Sequence, residues 1–277
     1  MRIINLMEDT DGGNGCLYEH GLSFYIETKK HRLLVDTGAT PAFLENAKRL
    51  SVDLTAVDTV ILSHGHYDHG GGIRAFAEQN SHAAIYIREN AFGHFMHGEG
   101  EKERSIGLDA GIAALSQVIK VKGNLQIDEE LSLFTNVTGR ELWPEGNKEL
   151  MREENGQKCP DDFLHEQYLV IFYKGKRILV SGCAHNGVLN ILKTFETLFG
   201  GEPDVVISGF HMMKKHGYTK KDRELVELTA KRLKAAKTVF FTCHCTGEEP
   251  YGWMKEIMDE QIFYIRSGEE MELDGIV

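Results

Sequence analysis

The sequence SHGHYDHGGG, residues 63–72, constrains this chain more than any other stretch. It places His64, His66, Asp68 and His69 within six residues, and three glycines follow. Residues two apart point to the same side of an extended backbone, so the first two imidazoles can face one centre. The glycines permit the chain to turn directly afterwards. Imidazole and carboxylate groups at this density indicate a divalent metal site rather than a solvated histidine cluster.

Histidines also follow the apolar segments that the pattern predicts to be strands. The segments are 58–62, 177–182, 204–208 and 238–242, and the histidines that follow them are His64, His185, His211 and His244. In open sheets covered by helices, ligands gather beyond the carboxyl ends of the strands. Chance readily places one histidine there but seldom four. The spacing therefore predicts that these side chains share one site.

The order of the segments predicts a single domain over residues 1–277, without repeats or linkers. Short β-rich segments are 2–7, 22–28, 32–36, 58–63, 204–208 and 238–242, and 168–173 with 177–182 forms a hairpin. Apolar residues at helical spacing predict helices over 71–80, 187–200, 219–236 and 250–259. A further helix begins at Thr40 as N-cap and Pro41 as first helical residue. Strands and helices thus alternate in both halves of the chain.

Residues 90–165 interrupt this alternation. The segment is polar and contains the sequences HGEG and WPEGN. Two interpretations remain open at this point: a lid that folds over the site, or a surface excursion without function. His94 and His97 lie on a predicted helix of this segment, where surface or packing roles are expected.

The composition limits the partners that the protein can have. The formal net charge of −11 disfavours binding to bulk nucleic acid or to an anionic membrane. No apolar stretch approaches the roughly 18–20 residues that span a bilayer, and the N-terminal residues lack a signal-peptide pattern. Five cysteines, few and odd in number, are typical of a reducing cytoplasm. We expect a cytoplasmic protein with a small-molecule substrate, and the sequence leaves a homo-oligomer open.

The motif H-x-H-x-D-H, met by residues 64–69, resembles the signature of the metallo-β-lactamase superfamily. LLVDTG (33–38) resembles an early strand motif of the same superfamily. The sequences YEHGLSFYIET, SGCAHNGVLNIL, SGFHMM and TCHCTG resemble one branch, named after an archaeal 7,8-dihydropterin-6-methyl-4-(β-D-ribofuranosyl)aminobenzene-5'-phosphate synthase. This resemblance extends over nearly the whole chain. It implies an α+β fold of four layers, the αββα sandwich, with a metal site at one edge of the sheets.

The resemblance also implies which residues bind metal. The first metal would be held by His64, His66 and His185, and the second by Asp68, His69 and His244. Two divalent ions are implied, zinc in the first place, with iron or manganese as alternatives. Asp68 would orient a metal-bound hydroxide or move its proton, and Asp36 would orient the metal ligands. The site could bind an anionic substrate because the metals supply positive charge.

The chain departs from the superfamily pattern at Cys183. Common hydrolases of the superfamily have a bridging aspartate at this place, so Cys183 is either a packing residue or a metal-site residue. Strand alternation predicts that Cys243 and Cys245 face away from His244. Two interpretations of His211 remain open, namely substrate binding and a structural role. The same two interpretations, a residue that lines the pocket or a structural residue, remain open for His20.

The resemblance implies a metal-dependent hydrolase, or a related transferase, that uses metal-bound hydroxide. Its substrate would be a small phosphorylated, pterin-related or ester compound. One alternative is a diiron-type redox enzyme, but such enzymes have a carboxylate where this chain has His66. A second alternative is a non-catalytic metal-binding or sensor protein. An open site with more ligands than a closed structural zinc site requires favours catalysis.

Overall fold

The computed structural model describes residues 1–98, 100 and 103–273. The strands of this part are β1 (Arg2–Met7), β2 (Ser23–Glu27), β3 (Arg32–Val35), β4 (Thr59–Leu62), β5 (Ala84–Arg88), β6 (Phe95–His97), β7 (Arg104–Ser105), β8 (Val118–Val121), β9 (Leu125–Gln126), β10 (Leu131–Thr135), β11 (Leu150–Glu154), β12 (Gln157–Pro160), β13 (Gln167–Tyr173), β14 (Lys176–Val180), β15 (Val205–Ile207), β16 (Val239–Thr242), β17 (Ile262–Tyr264) and β18 (Glu270–Glu272). The helices are α1 (Ala42–Arg49), α2 (Tyr67–Gly70), α3 (Ile73–Gln79), α4 (Val188–Phe199), α5 (Lys220–Lys234) and α6 (Glu248–Met258).

Two seven-stranded sheets form the centre of the molecule. The first has the order β18-β1-β2-β3-β4-β5-β8, and the second has the order β17-β16-β15-β14-β13-β10-β9. In the first sheet β3, β4, β5 and β8 are parallel, and in the second β14, β15, β16 and β17 are parallel. Each half of the chain therefore brings the carboxyl ends of parallel strands to an edge of its sheet.

Alternate residues of the strands fill the space between the two sheets. Phe24 and Val35 of the first sheet are fully or almost fully buried there with Leu169 and Ile178 of the second. Because successive side chains of a strand point to opposite faces, the residues between them are free to pack outward. Burial of each such large apolar side chain contributes about 1.5–3 kcal/mol.

Helices cover both outer faces. Leu34 and Val60 pack outward from the first sheet against Phe43 of α1 and Phe76 of α3. On the second sheet, α4, α5 and α6 contribute Ile191, Phe195, Val226, Leu233 and Met254. The layers are thus helix, sheet, sheet and helix, which confirms the predicted αββα sandwich.

Most of the predicted helices and strands are confirmed within one to three residues. Gly200, which has a left-handed backbone, is the C-cap of α4. Thr219 is the N-cap of α5 and forms a reciprocal capping box with Asp222. Pro41 lies at the N-cap of α1, one position earlier than predicted. Among the described helices, none is long and apolar enough to cross a bilayer.

Residues 90–165 form more regular structure than their sequence indicates. The segment supplies β8, β9 and β10 to the two large sheets. It also forms a third sheet with the order β12-β11-β6-β7. His97 lies on a strand of this sheet and His94 directly precedes it, so the helix predicted for these two residues is wrong. The lid role of 90–165 stays a prediction.

Candidate metal centre

Four buried imidazole nitrogens lie together without a hydrogen-bond partner. They are the Nε2 atoms of His64, His66, His185 and His244. Buried polar atoms are almost always hydrogen-bonded, because leaving one unpaired costs about 1–3 kcal/mol. Four such nitrogens at one place fit a divalent metal site, since neutral imidazole donates a lone pair to zinc, iron or manganese.

The first three of these histidines form one group. His64 and His66 follow β4, and His185 follows β14, so both sheets contribute. The centres of the His64 and His66 rings are 4.6 Å apart, and each lies 4.9 Å from the His185 ring. These rings meet edge to face, and a nitrogen of His64 lies within 4.8 Å of a nitrogen of His185.

Neighbouring side chains fix the orientation of this group. His64 Nδ1 lies 2.9 Å from Ser63 Oγ, and His185 Nδ1 lies 2.9 Å from Asn147 Oδ1. The Phe163 ring stacks on His185, with centroids 4.7 Å apart and planes 6° from parallel. When Nδ1 of each ring is engaged, Nε2 is left as the ligand atom.

Asp68, His69 and His244 form the second group. Asp68 Oδ2 is 3.6 Å from His69 Nε2 and 3.5 Å from His244 Nε2. His20 extends this group, since its Nε2 lies 3.6 Å from Asp68 Oδ2 and its Nδ1 lies 2.8 Å from Asp9 Oδ2. A carboxylate between two imidazoles is a suitable ligand set for a second divalent ion.

Two further carboxylates orient the imidazoles of the second group. Asp36 Oδ2 lies 2.6 Å from His69 Nδ1, and Asp36 also accepts hydrogen bonds from the backbone N–H and hydroxyl of Ser63. Asp9 pairs with Nδ1 of His244. The contact of Asp36 is the one that the resemblance implied, whereas Asp9 was missed.

A buried carboxylate holds the loop that presents His185. Glu166 accepts hydrogen bonds from the backbone N–H groups of His185, at 2.6 Å, and Asn186, at 2.9 Å. It also accepts one from the Tyr168 hydroxyl at 2.7 Å. Burial raises the pKa of Glu166, although these hydrogen bonds oppose the rise. The position of His185 is therefore set by a network rather than by the strand end alone.

The first group is electrically neutral at ordinary pH. Burial, and next the neighbouring His165, lower the pKa of His66 to about 3. Burial and the surrounding imidazoles also hold the pKa values of His64 and His185 well below their usual range. These rings therefore keep their lone pairs, which is the form that binds metal.

The second group carries charge. Burial acts to raise the pKa of Asp68, but His69 and His244 hold it well below its usual range. Burial acts to lower the pKa of His244, but Asp9 and Asp68 raise it well above the usual value. A metal ion would replace the proton that these carboxylates stabilise on His244.

The thiols are placed differently from one another. Cys183 is buried at the centre, 3.2 Å from His69 Nε2. Cys243 packs in the core between the sheets, as predicted. Cys245 lines the same cavity as His244, so the prediction that it faces away is wrong. Strand alternation ends before it, because His244 adopts a left-handed backbone with φ of 51° and begins a short 3-10 turn.

His211 also lies in the site. Its ring centre is 4.2 Å from that of His185, and its backbone N–H donates to Cys245 Sγ at 3.3 Å. The ring is only partly buried and lines the cavity. Its two interpretations therefore stay open, but its place beside the first group is shown by these contacts.

A histidine–aspartate pair beside His66 was missed. His165 Nε2 lies 3.0 Å from Asp161 Oδ2, and His165 Nδ1 accepts a hydrogen bond from the backbone N–H of Gly65 at 3.0 Å. Asp161 Oδ2 is 4.0 Å from His66 Nε2. Asp161 and His165 lie outside regular strands and helices, so no periodic signal indicates them.

A cavity of about 540 Å³ opens above both groups. His66, Asp68, Cys183 and His185 are among the residues at its inner end. Its outer lining includes Arg104, Lys148, His97, Lys214, Lys215 and His216, with Glu145, Glu149 and Asp222. Its volume is in the range of small-molecule sites.

The family follows from comparison with known proteins. The family model of the metallo-beta-lactamase superfamily matches residues 19–238, which is most of the chain and includes the first group and Asp68 and His69 of the second. The chain belongs to the metallo-beta-lactamase superfamily. Within this superfamily, the solved structure of Tm1679 is 29% identical to the chain and covers 98% of both chains with a TM-score of 0.82. Tm1679 is described as a metal-dependent hydrolase of the β-lactamase superfamily.

Two curated relatives add to the comparison. The 7,8-dihydropterin-6-methyl-4-(β-D-ribofuranosyl)-aminobenzene-5'-phosphate synthase of Methanocaldococcus jannaschii is 28% identical over 97% of this chain and 95% of its own length. An anaerobic nitric oxide reductase flavorubredoxin of Aliivibrio salmonicida is 30% identical, but over only 31% of this chain and 17% of its own length. The synthase is therefore similar throughout, and the flavorubredoxin over one segment.

Proposed function

We propose that this protein is a metal-dependent hydrolase, or a related transferase, acting on a small anionic substrate. The observation that carries this proposal is the set of unpartnered buried nitrogens at the inner end of a substrate-sized cavity. A structural metal site would be closed, whereas this one faces a cavity. The similarity to Tm1679, a hydrolase by its description, supports the same class of reaction.

Two divalent ions fit the ligands that the chain offers. His64, His66 and His185 would hold the first, and Asp68, His69 and His244 the second. When bound, such ions polarise a carbonyl or phosphoryl oxygen and lower the pKa of water towards neutrality. Zinc suits this mixture of imidazole, carboxylate and thiol, and iron or manganese is the alternative.

The chain's own residues supply positioning and proton transfer. Asp68 lies at the inner end of the cavity, where its carboxylate can hold a proton at Oδ2 during the reaction. The imidazole of His211, beside His185, can donate a hydrogen bond to the substrate. His211 is held beside the site by its ring contact with His185 and by its backbone N–H, which donates to Cys245 Sγ.

Unpaired cationic side chains in the outer lining of the cavity, here called the cavity mouth, favour an anionic substrate. Lys148 and Lys214 are each paired at 2.6 Å, with Glu145 and Asp222 respectively. Arg104 and Lys215 also line the cavity, and in the described part of the chain neither has an ion-pair partner. The name of the Methanocaldococcus jannaschii relative includes a phosphate ester, which is consistent with this chemistry.

Metal analysis and a substrate panel test the proposal. We expect the purified protein to bind two divalent ions per chain and to hydrolyse at least one class of phosphodiester, phosphomonoester, ester or thioester. Replacing both His64→Ala and His244→Ala should abolish metal binding and turnover. A single tetrahedral ion with no activity on any class would contradict the proposal and favour a non-catalytic metal protein.

The cationic mouth is tested by the double variant Arg104→Met/Lys215→Met. Removing two charged contacts should raise KM about tenfold or more for an anionic substrate and change kcat less. Lys120→Met is the matched control, because Lys120 is an exposed cation outside the cavity lining. An unchanged KM in the double variant would show that the mouth does not recognise the anion.

One observation favours a redox enzyme as the second candidate. A carboxylate, that of Asp161, lies 4.0 Å from His66 Nε2. This carboxylate is already engaged by His165 at 3.0 Å and by the backbone N–H of Phe163 at 2.8 Å. Iron-loaded protein that consumes dioxygen or nitric oxide in the presence of a reductant, and hydrolyses nothing, would establish this candidate instead.

A further inference from the structure

The thiol of Cys183 is common to both ligand groups. Its Sγ and the ligand nitrogens of His64 and His185 all lie within 4.8 Å of one another. The same sulfur lies within 4.8 Å of the ligand nitrogens of His69 and His244, and these two are within that distance of each other. Cys183 therefore stands between the two groups.

The surroundings of Cys183 are those of a ligand rather than of a packing residue. It is 3% exposed and lines the cavity, and the apolar core clusters of the described residues do not include it. Cys243 gives the opposite case, since it is fully buried within the core between the sheets. The partner of Cys183 at 3.2 Å is an imidazole nitrogen, not a methyl or ring carbon.

An independent observation, the lack of hydrogen-bond partners for nearby imidazole nitrogens, also points to a ligand at this thiol. His64 Nε2, His185 Nε2 and His244 Nε2 are buried and have no hydrogen-bond partner. All three belong to the groups that Cys183 joins. A thiol within 4.8 Å of these imidazole nitrogens is suited to join them in binding a metal.

We propose that Cys183 is a bridging ligand, whose thiolate binds both metal ions. The inference deepens the proposed metal-dependent function and rests on it. On metal uptake the S–H bond breaks, its proton passes to solvent, and the sulfur forms one bond to each metal. No electron is gained or lost in this step. A thiolate between the ions would also favour zinc or iron over magnesium, because soft ligands select such metals.

X-ray absorption of the zinc-loaded wild-type protein tests the bridge without any mutation. Zinc–sulfur bonds are about 2.3 Å and zinc–nitrogen bonds about 2.0–2.1 Å, so the two are distinguishable. At two zinc ions per chain, a bridging thiolate gives about one sulfur per zinc, and a terminal one gives about half. A value near one supports the proposal, while half or none overturns it.

Cys245 must be tested separately, since its sulfur lies within 4.8 Å of Cys183 Sγ and of a His211 nitrogen. In Cys245→Ser, the sulfur count should stay near one per zinc. In Cys183→Ser, it should fall to near zero. The reverse pattern would assign the thiolate to Cys245 and overturn the proposal. Cys243→Ser is the control for a buried thiol outside the site.

Cobalt substitution provides a second readout. Wild-type protein loaded with two Co²⁺ ions should show a near-ultraviolet sulfur-to-cobalt charge-transfer band, as should Cys243→Ser. Cys183→Asp should bind both ions and lose the band, because a carboxylate can bridge metals without sulfur. If wild-type protein binds two ions and shows no band, the bridge fails but the proposed function stands. If it binds no metal ion, both fail.

Discussion

The two edges of the sandwich differ in how the protein pairs the imidazole nitrogens of their histidines. At one edge, where β3, β4, β14 and β16 end, four imidazole Nε2 atoms have no hydrogen-bond partner, those of His64, His66, His185 and His244. At the other edge, where β3 and β4 begin, His31 has both nitrogens engaged. Its Nδ1 lies 2.8 Å from Asp58, and its Nε2 lies 2.7 Å from Asp128.

The pairing of the nitrogens distinguishes the two edges. The cluster at His31 is structural, whereas the unpaired nitrogens of the other edge are suited to bind a ligand. His31 precedes β3 of the first sheet, and Asp128 precedes β10 of the second, so their contact links the sheets directly. All its hydrogen-bonding atoms are satisfied by the protein. At the metal centre, the protein engages Nδ1 of His64, His185 and His244 and leaves Nε2 of these three rings without a partner. A histidine whose two nitrogens are paired by the protein therefore indicates a structural role, whereas buried nitrogens without a partner indicate a ligand site.

Metal-dependent stability should show the largest contrast between the edges. At a metal concentration 100 times Kd, each bound ion stabilises the wild type by about 3 kcal/mol. His64→Ala/His244→Ala should lose this gain, because both ligand groups are broken. His31→Gln should keep the full gain while starting from a lower metal-free stability. Chemical unfolding with and without added zinc measures both quantities. A gain retained in the double variant would contradict the assignment of these ligands.

Asp9 should matter to metal affinity although it is not placed as a ligand. It pairs with Nδ1 of His244 and lies 2.8 Å from Nδ1 of His20. Replacing such an orienting carboxylate typically weakens metal binding about 10–100-fold. We expect this loss for Asp9→Asn in competition titrations with a chelating dye. Asp58→Asn, which alters the equivalent carboxylate at the opposite edge, should leave metal affinity unchanged, and equal losses in the two variants would indicate a general effect on folding.

The contribution of His31 to the free energy of unfolding should depend on pH. Burial lowers the pKa of His31, but Asp58 and Asp128 outweigh it, so the pKa is raised from the ordinary value of 6.5. A raised folded pKa means that the stabilisation is fully present below the unfolded value and is lost as pH rises through the folded one. His31→Gln should therefore cost about 1 kcal/mol near pH 6 and less near pH 9. Unfolding of the metal-free proteins at both pH values tests this, and a cost that grows with pH would contradict it.

The smallest effect is expected for an exposed ion pair at the same edge. Lys30 pairs with Glu129, and both side chains are largely exposed. Exposed pairs contribute about 0–1 kcal/mol, so Lys30→Gln should change the free energy of unfolding by less than about 0.5 kcal/mol. A larger loss than that of His31→Gln would show that exposed charge, not the buried pairing, joins the sheets at this edge.

Much of the fold and part of the centre could be predicted because the relevant signals are local or periodic. The strand before SHGHYDHGGG and those before His185 and His244 are apolar and short, and their predicted ends lie within two residues of those in the structure. Asp9 lies in an equivalent place after β1, but a single acidic residue beyond a strand is too common to be singled out.

The residues that were missed depend on contacts distant in sequence. Asn147 lies in a short 3-10 turn and reaches His185, 38 positions further along the chain. Glu166 holds the same loop through backbone N–H groups 19 and 20 positions away. Neither contact leaves a periodic pattern. The helix predicted at His97 failed for a related reason, because pairing with β11 outweighs the local preference.

The way in which the two sheets share the centre has a consequence for its assembly in the cell. His64, His66, Asp68 and His69 are synthesised early, but His185 and His244 follow from the second sheet. The first ligand group and Cys183 can therefore come together only after His185 has been added, and the second group only after His244. Metal loading of the complete centre is then a late event, after the halves of the sandwich have met. Until His185 has been added, the nascent chain has only His64 and His66 of the first group and only Asp68 and His69 of the second.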